Sequence, residues 1–187
     1  MTIRQPRADA VRNRERVLRA GLEVFSERGR DAQIEDVAQC AGVGVGTVYR
    51  HFETKEALLD ALLIARFAEV RAALMAATAS PSADPWSSFA GAMRSAAEFH
   101  ARDRAFADVI SEQVCKSTAL APIMAELDGA WGALIDRGKA AGVLRADLDP
   151  SDMRALMCGL ARVVASSPSR AAWERYLEIV LDGLRAG

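Results

Sequence analysis

Hydrophobic residues recur at spacings of three and four positions along almost the whole chain, the pattern of helices that each bury one face. No segment alternates apolar and polar residues, and the β-branched residues fall within the helical pattern. The pattern therefore predicts an all-α fold, which we divide into roughly nine helices.

The first four predicted helices are closely spaced and are separated by glycines and capping residues. Gly29 and Gly42 follow apolar stripes and are typical helix stops, while Thr54 is a typical N-cap. We predict helices at about Arg12–Arg28, Ile34–Ala41 and Val45–His51, and a fourth from after Thr54 to about Ala77.

Five further helices are predicted after a break at residues 79–85. Asp84-Pro85 and Asp149-Pro150 each place a capping carboxylate before a proline, which favours a helix start. Gly142 should end the long seventh helix, which we place at about Ala119–Ala141. The apolar faces contain Trp86, Phe89, Met93 and Ala97 in the fifth helix, Phe106, Val109 and Ile110 in the sixth, Ile123, Leu127 and Trp131 in the seventh, Met153, Leu156, Leu160 and Val163 in the eighth, and Trp173, Leu177, Val180, Leu181 and Leu184 in the ninth.

The charge distribution points to a polyanionic partner at one end of the chain. The 187 residues are 51% hydrophobic, which is enough for a substantial core. Residues 1–55 contain 10 Lys and Arg against 8 Asp and Glu, whereas residues 56–187 contain 14 against 17, for a net charge of −1. A basic end on an acidic body is typical of nucleic-acid-binding proteins. A solvated N-terminal tail would explain the basic end equally well.

Patterns typical of enzymes and metal sites do not stand out in the sequence. Cys40, Cys115 and Cys158 are widely separated, and the chain has two histidines, His51 and His100. These spacings predict neither a disulfide framework nor a zinc site. Because no Ser/His/Asp set or paired-carboxylate motif stands out, we predict that the protein is not an enzyme and uses no cofactor.

The sequence also lacks the patterns of exported and membrane proteins. Met1–Arg7 is followed by further charges rather than by an apolar stretch, unlike a signal peptide. The most apolar window, Ala57–Ala65, contains Asp60 and is far too short to span a bilayer. We therefore expect a soluble, cytoplasmic protein with no membrane partner.

The stretch from Ile34 to Phe52, IEDVAQCAGVGVGTVYRHF, has the plan of a helix-turn-helix unit. In such a unit a short glycine-containing turn joins two helices, and the second presents its N-terminal residues to the major groove of DNA. We expect Gly44 and Gly46 to permit the tight turn and a close approach to the duplex. A nucleotide-binding loop is excluded, because such a loop follows a strand and needs a motif that this stretch does not complete.

The run RERVLRAGLEVFSERG, followed by IEDVAQCAGVGVGTVYRHFETKEALL, resembles the N-terminal domain of TetR-family transcriptional repressors. The shared features span four helix registers with their loop lengths and cover about a quarter of the chain. The remainder resembles the family only in its overall plan. The matching positions are Val17, Leu18, Ala20, Phe25 and Gly29, then Ile34, Val37, Ala38, Ala41, Gly42 and Val43, then Gly46, Thr47, Val48, Tyr49, His51 and Phe52, and finally Lys55, Glu56, Ala57 and Leu58.

The resemblance implies that the third helix and its flanks bind double-stranded DNA. Thr47, Tyr49 and His51 would contact mainly the DNA backbone, and Lys55 would meet a phosphate. Gln33, Val45, Gly46 and Arg50 would lie near bases or phosphates. The full set of predicted DNA-binding residues is Gln33, Val45, Gly46, Thr47, Tyr49, Arg50, His51 and Lys55.

Three of the positions differ from the residues common in the family. Gln33 stands where a hydroxyl residue often caps the second helix, and Gly44 and Val45 replace residues that are often polar. Val45 is suited to contact a thymine methyl group, but few polar side chains are left to specify a sequence. Of the two aromatic residues, we expect Phe52 in the core and Tyr49 at a phosphate.

The resemblance also implies a C-terminal domain that dimerises and holds a ligand. We divide the chain into a basic arm at 1–11, a helix-turn-helix domain at 12–57 and a sensing and dimerisation domain at 58–187. Residues predicted to line a ligand pocket, each more simply explained as core, are Phe67, Phe89, Met93, Phe99, Phe106, Met124 and Trp131. Residues predicted for the dimer interface, or alternatively for ordinary core, are Leu156, Leu160, Val163, Trp173, Leu177, Val180, Leu181 and Leu184.

Together these features predict a homodimeric repressor that binds a palindromic operator and is released by a small apolar or amphipathic ligand. Two alternatives stay open. One is a helical enzyme or lipid carrier with an incidental helix-turn-helix. The other is a redox sensor that uses Cys40, Cys115 or Cys158. The operator, the ligand and the direction of regulation are not specified by the sequence.

Overall fold

The computed structural model describes residues 6–79, 84–102, 109–110, 112–114, 116–167 and 169–187, with side chains from residue 9 onward. Within these ranges the backbone is helical almost throughout, and its β-type pairing is a single isolated bridge between Leu144 and Arg185. The all-α prediction is confirmed. The helices are α1 Pro6–Arg28, α2 Ile34–Ala41, α3 Val45–His51, α4 Lys55–Ala79, α5 Pro85–Arg102, α6 Ala121–Ala140, α7 Pro150–Ser166 and α8 Arg170–Leu184.

The predicted sixth helix falls largely in the segment between α5 and α6. Residues 109–110, 112–114 and 116 are helical there, and we call them the connecting segment. Val109 and Ile110 are buried, as predicted. Phe106, the third residue of that predicted face, lies outside the described residues.

Helix α1 begins earlier than predicted, at Pro6 instead of about Arg12. Proline is well suited to the first turn of a helix, because its missing N–H would have no partner there. Asp9 lies in that first turn and accepts a hydrogen bond of 2.5 Å from Arg12. The C-terminal part of the predicted arm at 1–11 is therefore helical, and residues 1–5 lie outside the described residues.

The predicted helix ends are set by local capping. Gly29, Gly42 and Gly142 have φ values of +55°, +63° and +66° and stop α1, α2 and α6, as expected for residues that adopt the left-handed region without strain. The Asp84 carboxylate accepts from the Ser87 N–H at 2.8 Å, and Asp149 accepts from the Ser151 N–H at 2.7 Å. The caps therefore confirm the predicted starts of α5 and α7.

The first three helices and the start of α4 enclose a small core of their own, and we call this part the head. Phe25, Val37, Val48 and Phe52 are nearly inaccessible to solvent. Arg16 of α1 donates to the carbonyl of Ala41 at 2.6 Å and so satisfies the C-terminal end of α2. The orientation of α2 and α3 is therefore determined by packing against α1.

The remaining helices form a larger bundle, which we call the body. Helix α4 runs from the head into the body, where it packs against α5 and α6. Helix α7 packs on α5 and α6, and α8 covers α5 and α7. Among the described helices, none is both long and apolar enough to cross a membrane.

Candidate nucleic-acid interface and internal cavity

Helix α3 is anchored to the head on one side and is open to solvent on the other. Val48 is fully buried and Phe52, just after the helix, is 4% exposed, so these two side chains attach α3 to the core. Gly46, Tyr49 and Arg50 face outward, and the Tyr49 side chain is 45% exposed. A large aromatic residue exposed to this extent next to an arginine is available for a contact with another molecule.

Arg50 and Thr47 form a polar pair on this outer face. The Arg50 guanidinium donates to the Thr47 hydroxyl at 3.1 Å and lies 3.4 Å from the Gly46 carbonyl. The pair is exposed, so water can replace these bonds at little cost and the guanidinium can turn towards an anion. The outer face of α3 therefore carries a hydroxyl, a phenol and a cation side by side.

The two ends of α3 differ in exposure. Val45 at the N-terminal end is half-buried and packs against the head core. His51 at the C-terminal end is also half-buried, with its ring centroid 6.4 Å from that of Phe52. Both side chains therefore combine a structural contact with partial access to solvent.

The expected role of Gly44 in the tight turn is wrong. Its φ of −71° and ψ of 147° are an extended conformation that any residue adopts, whereas Gly42 supplies the left-handed residue of the turn. A Cβ atom at Gly44 or Gly46 would meet no other atom within 4 Å. The head itself does not require glycine at either place, so their small size matters only towards whatever approaches from outside.

Gln33 and Lys55 flank the helix pair and have structural partners. Gln33 is the N-cap residue of α2; its N–H donates to the Asp36 carboxylate at 3.0 Å, and its side-chain amide donates to the carbonyl of Asp31 at 3.0 Å. The Lys55 ammonium donates to the Arg30 carbonyl at 3.0 Å and lies 5.7 Å from the centre of the Phe25 ring. Lys55 thus stabilises the head in addition to any contact with a phosphate.

The body contains an internal cavity between α4, α5, α6, α7 and the connecting segment. It has a volume of about 80 Å³ and opens partly to solvent. This is smaller than most small-molecule sites, so a ligand of ordinary size would have to displace part of the wall. Six of the large side chains that line it are Phe67, Phe99, Met124, Trp131, Met153 and Met157.

The predicted pocket residues separate into three groups. Phe67, Phe99, Met124 and Trp131 line the cavity. Phe89 and Met93 do not: they are 0% and 1% exposed and form core, with the Phe89 ring packed edge-on against Trp131 at 6.0 Å. Phe106 lies outside the described residues. The prediction of Phe89 and Met93 as pocket residues is wrong because their helix face meets side chains rather than empty space.

Several cavity residues were not predicted from the sequence. Met153 and Met157 share a face of α7 that the sequence analysis assigned to core and dimer contacts, and Ile110 and Val114 come from the connecting segment. His100 was noted only as one of two histidines. Its position seven residues after Met93, on the apolar face of α5, is the one signal that could have placed it inside.

His100 is the buried titratable group of the cavity wall. It is 8% exposed, and its Nδ1 atom has no hydrogen-bond partner among the described residues. Burial, followed by the positive charge of Arg66, lowers the pKa of His100 from 6.5 to about 4. The imidazole is therefore neutral near pH 7.

Two ion pairs lie next to this region. Arg154 of α7 pairs with Asp128 of α6 at the cavity wall. The Arg66 guanidinium lies 4.4 Å from the centre of the Phe99 ring and 3.4 Å from the Glu69 carboxylate. Both of these arginines are thus already engaged with a carboxylate.

The connecting segment contacts both the cavity and the head. Ile110 and Val114 line the cavity, whereas the buried Gln113 between them donates to the Asp60 carboxylate of α4 at 2.7 Å. Glu112 forms an ion pair with Arg30 of the head. A displacement of this segment would therefore change contacts both at the cavity wall and at the head.

Most of the predicted dimer residues are core residues of the protomer. Leu160, Trp173, Leu177, Leu181 and Leu184 are between 1% and 7% exposed and pack within the bundle, so their assignment to an exposed face is wrong. Leu156, Val163 and Val180 are only half-buried. Ile179 on α8 was not predicted and is 55% exposed. The apolar surface left on α7 and α8 is thus smaller than the sequence indicated.

The cysteines give little support to a redox site. Cys40 is exposed on α2; burial and the nearby Glu23 carboxylate, 3.6 Å from its sulfur, raise the pKa of the thiol, which disfavours the reactive thiolate. Cys158 lines the cavity, and Cys115 lies outside the described residues. Among the described residues, no three His, Cys, Asp or Glu side chains are grouped to hold a metal ion.

Comparison with known proteins covers both parts of this architecture. Residues 17–62 match the family described as bacterial regulatory proteins, tetR family, and residues 84–186 match the SbtR-like transcriptional regulator C-terminal domain. The HTH-type transcriptional repressor KstR2 of Rhodococcus jostii is 26% identical over 91% of this chain and 90% of its own length. The HTH-type regulator SAR0097 of Staphylococcus aureus is 41% identical, but the match covers only 32% of each chain.

A solved structure of a transcriptional regulator is similar to this chain over nearly its full length. The TetR transcriptional regulator SCO0520 of Streptomyces coelicolor is 33% identical, with a TM-score of 0.67, over 92% of this chain and 98% of that protein. The relatives are transcriptional regulators rather than enzymes. The chain therefore belongs to the TetR family of helix-turn-helix transcriptional regulators.

Proposed function

We propose that the protein is a homodimeric repressor that binds a palindromic operator and is released from it by a small apolar or amphipathic ligand held in the body cavity. The observation that carries this proposal is the double contact of the connecting segment. Ile110 and Val114 line the cavity, and Gln113 between them hydrogen-bonds Asp60, five residues after the start of α4.

DNA binding is assigned to α3 and its flanks. Tyr49, Arg50 and Thr47 supply two hydroxyls and a guanidinium on the open face, a set suited to phosphate oxygens. Gly46 adds a position without a side chain, which lets the duplex approach the helix backbone. Few side chains on this face can form base-specific hydrogen bonds, so DNA shape and water-mediated contacts would contribute to specificity.

Release requires that the ligand bind the DNA-competent and DNA-incompetent arrangements with unequal affinity. Filling the cavity would press on Ile110 and Val114 and displace the connecting segment. Gln113 and the Glu112–Arg30 ion pair would pass this displacement to α4 and the head. In a dimer, a small rotation of α4 changes the distance between the two α3 helices, which must match successive major grooves.

The dimer contact is assigned to the outer faces of α7 and α8. Leu156, Val163 and Val180 are half-buried in a single protomer, and Ile179 is largely exposed. A second copy of this chain would cover them in an interface related by a two-fold axis, which suits a palindromic site.

The deciding experiment is selection of operators from a random DNA pool by the full chain, followed by binding of the selected duplex at several salt concentrations. We expect a palindromic consensus and an affinity that falls steeply as salt increases. Lys139→Ala, which removes a cation from the body, should bind like the wild type, whereas Arg50→Ala should bind more weakly. Recovery of no consensus, together with salt-independent binding, would show that the proposal is wrong.

A further inference from the structure

The cavity wall is apolar except at a few positions, and His100 is the most deeply buried of them. Phenylalanine, methionine, tryptophan and aliphatic side chains supply most of the lining. Asp128 and Arg154 also line it, but their side chains are 27% and 50% exposed and lie towards solvent. His100, at 8% exposed, is inside.

His100 has an unmet hydrogen-bonding capacity. Its Nδ1 atom is inaccessible to solvent and has no partner among the described residues. The neighbouring Phe99 ring contacts the imidazole edge-on at 5.6 Å, which does not satisfy a ring nitrogen. Since buried polar groups in proteins are almost always hydrogen-bonded, an unpartnered nitrogen on a residue that lines a cavity marks a place where a bound molecule can supply a partner.

The charges near the cavity disfavour an ionised ligand. Among the described residues that line it, Arg154 is the one arginine or lysine, and it is paired with Asp128. Arg66 lies behind Phe99 and is paired with Glu69. A carboxylate entering the cavity would lose its hydration without gaining an uncommitted cation, which is costly in an apolar surrounding.

The protonation state of His100 also favours an uncharged ligand. The pKa of about 4 makes the ring neutral, so it offers one N–H donor and one nitrogen acceptor. A neutral imidazole can donate to a carbonyl oxygen or accept from a hydroxyl.

We propose that the cavity selects an uncharged, mainly apolar molecule with one hydroxyl or carbonyl group, and that this group hydrogen-bonds His100. The proposal rests on the proposed function, because it names the ligand class of the same regulator. It assigns His100 as the residue that distinguishes such a molecule from a hydrocarbon of the same size and from a fatty carboxylate.

The test uses the two histidines as reporters. The full chain is labelled with ¹⁵N-histidine, which gives signals from His51 and His100 alone, and His51→Gln assigns them. Octan-1-ol, octan-2-one, octanoate and octane are titrated separately, and the shift of the His100 nitrogens gives an apparent Kd for each. We expect the alcohol and the ketone to bind about five- to a hundredfold more tightly than octane and octanoate. The NMR signals of His51 should not shift in any of the titrations.

Variants separate hydrogen bonding from packing. His100→Leu should bind octan-1-ol and octane equally, as measured by saturation-transfer NMR, whereas His100→Gln should keep the preference for the alcohol. If His100→Leu does not fold, the wild-type series still decides. Tightest binding of octanoate, equal binding of all four compounds, or binding of none would overturn the proposal. DNA binding of the unliganded protein is measured in parallel, and its loss would count against the proposed function instead.

Discussion

Tyr49 and His100 are polar aromatic side chains in opposite surroundings, and their surroundings determine what each can do. Tyr49 is 45% exposed on the outer face of α3, so its hydroxyl is free to meet a phosphate. His100 is enclosed in the body, where burial keeps it neutral and leaves Nδ1 without a partner. Substitutions at the first should change DNA binding, and substitutions at the second should change ligand selection and the pH dependence of stability.

Tyr49→Phe and Arg50→Ala should weaken DNA binding in different ways. Loss of the Tyr49 hydroxyl removes one neutral hydrogen bond, so we expect roughly two- to tenfold weaker binding with an unchanged salt dependence. Loss of the Arg50 guanidinium removes a charge, so the slope of log affinity against log salt should decrease by about 1. Fluorescence anisotropy of a labelled operator at several salt concentrations measures both. Unchanged affinity in the two variants would place the interface elsewhere.

The lowered pKa of His100 predicts that the protein loses stability on mild acidification. The unfolded chain takes up a proton at this residue below about pH 6.5, whereas the folded protein does so only near its pKa of about 4. The free energy of unfolding should therefore fall as the pH falls from about 6.5 to 4, by up to about 3 kcal/mol.

Urea unfolding of wild type and His100→Gln across this pH range measures the effect. Exposed carboxylates with lowered pKa values, such as Asp149, titrate in both proteins, so the difference between the two curves isolates His100. Parallel curves would contradict the assignment.

At the scale of elements, helix α6 shows how neighbouring chain segments restrict single positions. A Cβ atom at Gly138 would lie 2.5 Å from Cδ1 and 2.7 Å from Cγ of Leu144, a buried residue just beyond the helix. At Gly129, earlier in the same helix, a Cβ atom would meet nothing within 4 Å. Glycine is therefore required by packing at the first position and not at the second.

Alanine substitutions at these glycines should have opposite effects on stability. Gly138→Ala crowds Leu144, and we expect it to lower the free energy of unfolding by about 1–3 kcal/mol. Gly129→Ala improves helix propensity at an open position and should raise the free energy of unfolding by up to about 1 kcal/mol. Thermal and urea denaturation of the two variants measure the changes. A stabilised Gly138→Ala would show that Leu144 can move away freely.

At the scale of the whole molecule, the head and the body are joined by α4 and by the contacts of the connecting segment. The Gln113–Asp60 hydrogen bond is partly buried, whereas the Glu112–Arg30 ion pair is exposed. An exposed pair contributes little energy on its own, so the partly buried hydrogen bond is the stronger candidate for coupling.

Asp60→Ala should therefore weaken the response of DNA affinity to ligand. Octan-1-ol is used as the ligand, and its effect on operator affinity is compared in the wild type, in Asp60→Ala and in Asp60→Asn, which keeps an acceptor oxygen for Gln113. We expect the ratio of operator affinities without and with octan-1-ol to fall towards one in Asp60→Ala and to be largely kept in Asp60→Asn. Equal ratios in all three proteins would exclude this contact as the coupling route.

Dimerisation is also a property of the whole molecule. Ile179 on α8 is 55% exposed and Met75 on α4 is 57% exposed, so both tolerate a charge in the isolated protomer. If α7 and α8 form the dimer contact, Ile179→Arg should shift the protein towards monomer in analytical ultracentrifugation, because the interface would bury an unpaired charge. Met75→Arg is the matched control and should leave the oligomeric state unchanged. A dimer that survives Ile179→Arg would place the interface on another face.

The helices and the head were predictable because their determinants are local in sequence. Gly29, Gly42 and Gly142 and the two Asp-Pro pairs stop or start helices through their own conformational preferences and short-range hydrogen bonds. The helix-turn-helix was predictable for the same reason, since its two helices and turn span fewer than twenty residues and bring their apolar positions onto one face.

Which buried face meets which neighbour was decided only by tertiary structure. A helical pattern identifies an inner face, but it does not say whether that face meets side chains, empty space or a second copy. Phe89 therefore proved to be core whereas Phe99 lines the cavity, and the leucines of α8 proved to be buried in the protomer. The position of His100 beside a cavity depends on four packed helices and the connecting segment, because only their assembly removes water and partners from its ring.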